Sequence, residues 1–399
     1  MNQEVKIVIG SAHGDEGKGV TVQHLCKQAI GEGKKPLVIR FSGGPQAGHT
    51  INYNGIEHIC STYGAGVLMG IPTLVYHTAY FDPLCAKREH DVLVKKMTHV
   101  PNLYVCEGVR CITPFDVLCG RGDVKVLSDG TCGKGIFPTF KRHNDGFTTN
   151  LSSFTLNGWL TSIKYYYKEL VGMDDETLNE AERLSEEECF MFSKPDFGFI
   201  KMVSDCDKFL SGFDVLIFEG SQGLLLDMDC GFYPHVTPSK VGLNGLEGKF
   251  MKKSFLQDAE VYFVTRTYLT RHGNGYEPCK RYFDCLDIKD KHETNVINTY
   301  QGEFKTGIIN FDLLNEAYLR HNVDNKIRLY NMTANLVVTH WDILDKGNEF
   351  PYIQNGKVQI AKYEDKSELY NLFYYFCNTF QFKKMFINDS IESNHKEVI

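Results

Sequence analysis

The sequence predicts an α/β protein, a doubly wound and mostly parallel sheet with helical insertions. Three observations predict it. Near the start, the apolar run Ile7-Val8-Ile9 breaks into a glycine-rich turn, a segment of helical periodicity follows, and a second apolar run spans Pro36 to Arg40. Strand, glycine turn, helix and strand make the βαβ unit of parallel sheets. Further short apolar runs at 214–218, 261–265 and 335–339 read as buried parallel strands, and each ends in a polar or glycine-rich loop. The chain has 399 residues, 42% of them hydrophobic, enough for one large core with inserted pieces.

Taken in order, Lys6–Gly10 is short and β-branched, as a strand buried on both faces requires. Lys18 to Ile30 places Val22, Leu25, Cys26 and Ile30 on one helical side, and Gly31-Glu32-Gly33 ends it. Pro36–Arg40 is the next strand. From Tyr53 to Val126, runs such as Leu74-Val75-Tyr76 and Leu103-Tyr104-Val105 alternate with polar turns and continue the same domain. Ser128 to Pro138 has glycines at 130, 133 and 135, a loop built for close approach. Leu160 to Glu188 reads as amphipathic helix, with Glu186-Glu187-Glu188 as a solvated face. A single domain over 1–399 is expected, with a helical subdomain inserted around 150–210. The later strands deliver Glu219-Gly220-Ser221-Gln222-Gly223, Thr270-Arg271-His272-Gly273-Asn274-Gly275 and Thr339-His340-Trp341-Asp342 at their carboxyl ends, where open α/β sheets bind ligands.

A net charge of −7 and a pI near 6.1 argue against bulk nucleic-acid binding, which wants a basic face. No apolar run approaches the ~18 residues of a membrane span, and the N-terminus lacks the apolar stretch of a signal peptide. The reading is cytoplasmic. The thirteen cysteines include no C-x-x-C pair and no zinc-type Cys/His spacing, so reduced, mostly buried thiols are expected. His77 and His90 read as surface or core residues rather than metal ligands.

Chemistry concentrates in the two early turns. Gly14 to Gly19 resembles a phosphate cradle, with backbone N–H groups at a helix start and Lys18 beside them. It is not a standard P-loop, because Ala12 stands where a glycine is required and Gly19 where a hydroxyl is required. Asp15 and Glu16 would repel phosphate unless one binds a metal or takes a proton. His49, just past the second turn, suits phosphoryl transfer, where an imidazole donor stabilises developing charge.

Five motifs in order then identify the chain as similar to one family. Gly14-Asp15-Glu16-Gly17-Lys18-Gly19, Gly43 to Thr50, Gly130 to Pro138, Phe218 to Gly223 with Leu226-Asp227-Met228-Asp229 and Tyr233 to Thr237, and Thr339 to Asp342 resemble adenylosuccinate synthetases. The resemblance implies a core of the P-loop NTPase type and a two-step ligation. Asp15 would remove the N1 proton of IMP and bind Mg²⁺ with the Gly48 carbonyl. The 6-oxygen would attack the γ-phosphate of GTP (or ATP) with support from His49. The amine of aspartate would then displace the 6-phosphate. Gly14, Glu16, Gly17, Lys18, Gly19, Gly48, Thr50 and Asp342 would hold the nucleoside triphosphate, with Asp342 on the guanine. Gln46, Thr131, Cys132, Gln222 and Thr237 would hold the purine nucleotide monophosphate, together with Arg142 lent to a neighbouring subunit of a homodimer. Thr299 and Lys305 would hold the amino acid.

The sequence departs from the family at several points. Val20 replaces a usual lysine, Gln46 an asparagine, Cys132 a threonine and His340 a lysine. The tail around 386–390 lacks the family's base-binding motif. The arginine-rich amino-acid loop is reduced to Lys305, and an ammonium does not reproduce a guanidinium fork. A phage branch that makes a diaminopurine precursor from dGMP shares the reduced loop but has serine at the Asp15 position. Action on dGMP, and binding of nucleotide without catalysis, are the alternative readings.

Overall fold

The computed structural model describes residues 3–122, 132–155, 158–192, 198–246, 255–273, 275, 300, 302–346, 348–390 and 393–399. In chain order the strands are β1 (Glu4–Gly10), β2 (Pro36–Arg40), β3 (His49–Tyr53), β4 (Ile56–Cys60), β5 (Thr73–Val75), β6 (Tyr80–Phe81), β7 (Leu103–Cys106), β8 (Arg110–Cys111) and β9 (Ile200–Val203). They continue as β10 (Val215–Gly223), β11 (Glu260–Arg266), β12 (Tyr268–His272), β13 (Phe304–Asn310), β14 (Thr333–Thr339), β15 (Glu349–Gln354), β16 (Lys357–Lys362), β17 (Lys384–Ile387) and β18 (Lys396–Glu397). Ten of them form one sheet in the order β18-β17-β14-β11-β1-β10-β2-β5-β7-β9. All neighbours are parallel except the antiparallel edge strand β18, so the mostly parallel sheet read from the sequence is the one observed.

Alternation along the central strands explains why their sequences are apolar throughout. Ile7 and Ile9 of β1, with Leu216 and Phe218 of β10, enter the core on one face; Val8, Val215 and Ile217 enter the core on the other. Each such side chain is worth about 1.5–3 kcal/mol when fully buried. Helix α1 (Lys18–Gly31) packs Val22, Leu25 and Cys26 against the second face, and Gly33 at φ 70° turns the chain toward β2. Glu4 to Val8 pair in step with Val215 to Glu219. From there β1 advances two residues to Gly10 while β10 advances four to Gly223. β10 therefore bulges at Gly220-Ser221-Gln222, at the carboxyl rim of the sheet. Gly220 fits there because a Cβ would lie 2.8 Å from the Val8 carbonyl oxygen.

A helical stretch lies between β8 and β9. It includes α2 (Pro114–Gly122), α3 (Ile136–Asn144), α4 (Gly158–Tyr165), a π-helical turn over Tyr166–Val171 and α5 (Asp175–Phe192). Glu186 and Glu187 are exposed, but Glu188 is buried, which corrects the reading of all three as a solvated face. It lies three residues past buried Ser185, on the helix's inward side. A second sheet has the order β12-β13-β15-β16. Cys106 and Cys206 are joined in a disulfide, so these two are not the reduced thiols expected. No described helix is long and apolar enough to cross a membrane.

Candidate active site

The first turn leaves β1 at Gly10 and enters α1 at Lys18. It is bent by three residues in the left-handed region: Gly14 (φ 104°), Asp15 (φ 53°) and Gly17 (φ 87°). For aspartate this conformation is uncommon and persists only where neighbours over-determine it. Here they do. The Arg266 guanidinium donates to the Asp15 carbonyl, Thr270 Oγ1 donates to the Gly14 carbonyl at 3.1 Å, and Thr339 Oγ1 donates to the Glu16 carbonyl at 2.9 Å. Residues from β11, β12 and β14 thus hold one loop. A Cβ at Gly17 would fall 2.7 Å from Thr339 Cγ2, so the close approach of β14 needs glycine there.

The Asp15 carboxylate is 28% exposed and lies 3.1 Å from His272 Nε2. Burial pushes its pKa up, but the hydrogen bond and charge of His272, with Arg266 and Lys18, outweigh that and hold it below the ordinary carboxylate value. Glu16 is different. Burial is the larger influence and lifts its pKa to about 7, against the pull of Lys18. One oxygen accepts the Ala12 N–H; the other has no hydrogen-bond partner and lies 3.7 Å from Lys18 Nζ. Lys18 is itself buried, and burial lowers its pKa.

The second turn runs from Arg40 to His49, which begins β3. It is fastened to the β10 bulge: Ser42 Oγ lies 3.1 Å from Ser221 Oγ and accepts the Ser221 N–H at 3.1 Å, while Gly43 N–H donates to Ser239 Oγ at 2.9 Å. His49 is buried. Its Nδ1 contacts Glu219 Oε1, and its Nε2 lies 3.4 Å from the Ser221 carbonyl oxygen. Burial lowers the His49 pKa, and the Glu219 charge opposes that. Burial pushes Glu219 up, but His49, Arg40 and the Ala65 N–H at 3.0 Å hold it low and ionised. The two turns meet at Gly19, where a Cβ would lie 2.9 Å from His49 Cβ. The residue that fails the P-loop pattern is the one that admits the imidazole.

Several buried polar atoms around this cleft have no protein partner. They are both ring nitrogens of His13, one oxygen of Glu16, both amide atoms of Gln46 and the amide oxygen of Gln222. Buried polar groups are ordinarily satisfied, so this cluster marks where a polar ligand belongs. Thr237 is buried in the segment that follows β10 and donates its N–H to the Leu226 carbonyl at 2.8 Å. Thr50 follows His49 in β3, and Gly48 is exposed at the tip of the turn. Asp342 lies in a 3-10 turn just past β14, beyond His340, which adopts φ 57°.

Cys132 is half-buried in a loop that packs on Tyr300: a Cβ at Gly133 would lie 2.7 Å from that ring. Thr131 and Thr299 lie outside the described residues. Lys305 stands in β13 directly opposite Arg271 of β12, so two cations share one face where the sequence offered a single lysine.

Arg142 requires a correction. It is wholly buried, donating to both oxygens of Asp116 at 2.8 Å, to the carbonyls of Phe147 and Cys111 at 2.5 and 3.2 Å, and to Thr149 Oγ1 at 3.1 Å. Tyr167 and Thr113 also donate to that carboxylate. From α3, Arg142 ties that helix to Asp116 of α2, and its guanidinium is spent on these buried partners. Glu219, His272 and Arg271 were quoted within strand-end motifs but given no role by the sequence reading. Their partners lie 170, 257 and 34 residues away, out of reach of any local spacing.

The sequence profile of the adenylosuccinate synthetase family matches residues 7–357. Adenylosuccinate synthetase of Francisella tularensis subsp. mediasiatica is 28% identical over 294 residues, 70% of this chain and 66% of that protein. The Christiangramia forsetii enzyme is 27% identical over 287 residues, 69% and 66% respectively. The match therefore spans just under two thirds of these relatives' length. Among solved structures, fully ligated adenylosuccinate synthetase from Plasmodium falciparum superposes with a TM-score of 0.69 at 18% identity, covering 99% of both chains. The cyanophage S-2L succinoaminodeoxyadenylate synthetase, bound to dGMP and to dATP as an energy donor, gives 0.59 at 15% identity, covering 94% of this chain and all of that one. At these identities the superpositions speak for the fold.

Proposed function

The chain belongs to the adenylosuccinate synthetase family, and we propose that it is a nucleoside-triphosphate-dependent C–N ligase joining aspartate to C6 of a 6-oxopurine nucleotide, IMP or dIMP. The observation that carries this reading is the meeting of an ionised Asp15, a buried His49–Glu219 pair and a ring of unpartnered polar atoms at one rim of the sheet.

Asp15, held ionised by His272 and Arg266, accepts the purine N1 proton, which turns the 6-oxygen into a nucleophile. That oxygen attacks the γ-phosphate of GTP or ATP, whose phosphates lie along the α1 N-terminus near Lys18. His49 donates to the transferred group. It rests neutral because it is buried, and the arriving phosphate charge raises its affinity for a proton. Glu219 fixes its ring and stabilises the charged form. The aspartate amine then displaces the 6-phosphate, with Arg271 and Lys305 facing its carboxylates. Asp342 accepts from the donor's base. Gln46, Gln222, Thr237 and Cys132 satisfy the purine nucleotide together with Thr131, and Thr299 joins Lys305 on the amino acid.

The Asp15 carboxylate and the Gly48 carbonyl are hard oxygen donors, one ionised and one exposed, and such a pair fits Mg²⁺. When bound there, the ion neutralises charge on the transferring phosphate.

The test is incubation with IMP, aspartate, Mg²⁺ and either GTP or ATP, read by mass spectrometry for a succinylated nucleotide and by phosphate release. The cyanophage neighbour's ligand makes dGMP, with ATP or dATP, the second substrate to offer. Product from dGMP alone would replace IMP with dGMP in this reading. Tight nucleotide binding without phosphate release would refute catalysis.

A further inference from the structure

At the same rim, on the other side of β2 from the first turn, three adjacent parallel strands each deliver a metal-ligating side chain. β5 ends at Val75 and is followed by His77; β7 ends on Cys106; β9 ends at Val203 and is followed by Cys206. None of the three has a role in the cleft. The ligand atoms of His77, Cys106 and Cys206 all lie within 4.8 Å of one another, and His77 Nε2 is 3.3 Å from Cys206 Sγ. Both cysteines are buried. Gly108 gives the imidazole its room, since a Cβ there would lie 3.1 Å from His77 Nδ1. Asp207, next along the chain, adds a carboxylate whose charge acts on His77.

A disulfide needs two sulfurs and no imidazole. Here a third ligand is aimed at the sulfur pair, giving a Cys₂His set. Once that bond is reduced, two thiols beside an imidazole form a soft, nitrogen-and-sulfur site that suits Zn²⁺ and not Mg²⁺. The three ligands lie at or just past the ends of separate strands, which is why no linear Cys/His spacing announced them. We propose that, with the Cys106–Cys206 bond reduced, Cys106, Cys206 and His77 hold one zinc-type divalent ion that ties together the ends of β5, β7 and β9. β9 is the edge strand that follows the helical stretch, so the ion fastens that stretch back to the sheet.

The balance is simple. A phosphine reductant supplies two electrons to the S–S bond and becomes its oxide with an oxygen from water, and the water's two protons go to the sulfurs. Metal binding then releases both thiol protons. The full-length chain, reduced with a phosphine and dialysed against Co²⁺, should take up one equivalent and show thiolate-to-cobalt charge-transfer absorption with intense tetrahedral d–d bands. The unreduced chain should show neither. Cys106→Ser and Cys206→Ser should lose the charge-transfer band, and His77→Ala should weaken it, while Cys230→Ser keeps it. Retention of the band in both Cys106→Ser and Cys206→Ser overturns the proposal. On the unmutated reduced chain, Zn²⁺ should protect Cys106 and Cys206 from alkylation, located by peptide mass spectrometry. Equal labelling with and without Zn²⁺ also overturns it.

Discussion

Glu16 in the first turn and Glu219 in β10 are both almost fully shielded from water, yet their pKa values move in opposite directions. Glu219 faces His49 and Arg40 and accepts a backbone N–H, so it stays ionised. Glu16 has one backbone N–H and a lysine at 3.7 Å, with one oxygen unpartnered, and its pKa climbs to about 7. Depth alone decides neither. The number of partners does, and a buried carboxylate short of partners takes a proton instead. Glu219 is thus fully engaged before substrate arrives, whereas Glu16 still has an open valence for it.

The largest break in that contrast is at Asp15, the one carboxylate of the first turn that stays ionised. Asp15→Asn should lower kcat by about 10³-fold, the scale of a lost general base, while nucleotide affinity measured by calorimetry holds within a few-fold. Unchanged turnover would remove Asp15 as the base.

Next is Glu219→Gln, which keeps the contact to His49 but removes the charge. A fall in kcat of about 10²-fold is expected. Because the Glu219 charge raises the His49 pKa, its loss should also move the alkaline limb of the kcat–pH profile to lower pH. A uniform loss of activity with an unmoved profile would make Glu219 merely structural.

The smallest effect is Glu16→Gln, and it is read in stability. Glu16 has a folded-state pKa near 7 against 4.5 when unfolded, so between those values the folded chain binds more protons. Stability therefore falls as pH rises from about 4.5 through about 7, by up to about 3 kcal/mol in full. Glutamine does not titrate and escapes that loss. Urea unfolding should find the variant similar to the parent near pH 5 and more stable near pH 8. A difference independent of pH would assign Glu16 the same state as Glu219.

Much of the architecture was legible in the chain because it is local. β2 falls on the residues its apolar run marked, α1 starts at Lys18 as expected, and β1 extends the marked run by two residues. The turns were legible for the same reason, since glycines and strand ends are local signals. What remained hidden is pairing at long range. Nothing near Asp15 announces His272, nothing near His49 announces Glu219, and Cys106 meets Cys206 across 100 residues. Arg142 shows the converse failure. It sits close to a family motif, but its Asp116 partner on α2 turns the side chain inward.

Gly19 is the second residue of α1. In a standard P-loop this position carries a hydroxyl that ligates the metal. Here even a methyl group would crowd His49 Cβ at 2.9 Å. One codon thus stands between two incompatible designs, and no chain can hold both at once. A side chain carrying that hydroxyl at position 19 would crowd the imidazole before the hydroxyl had any metal to hold.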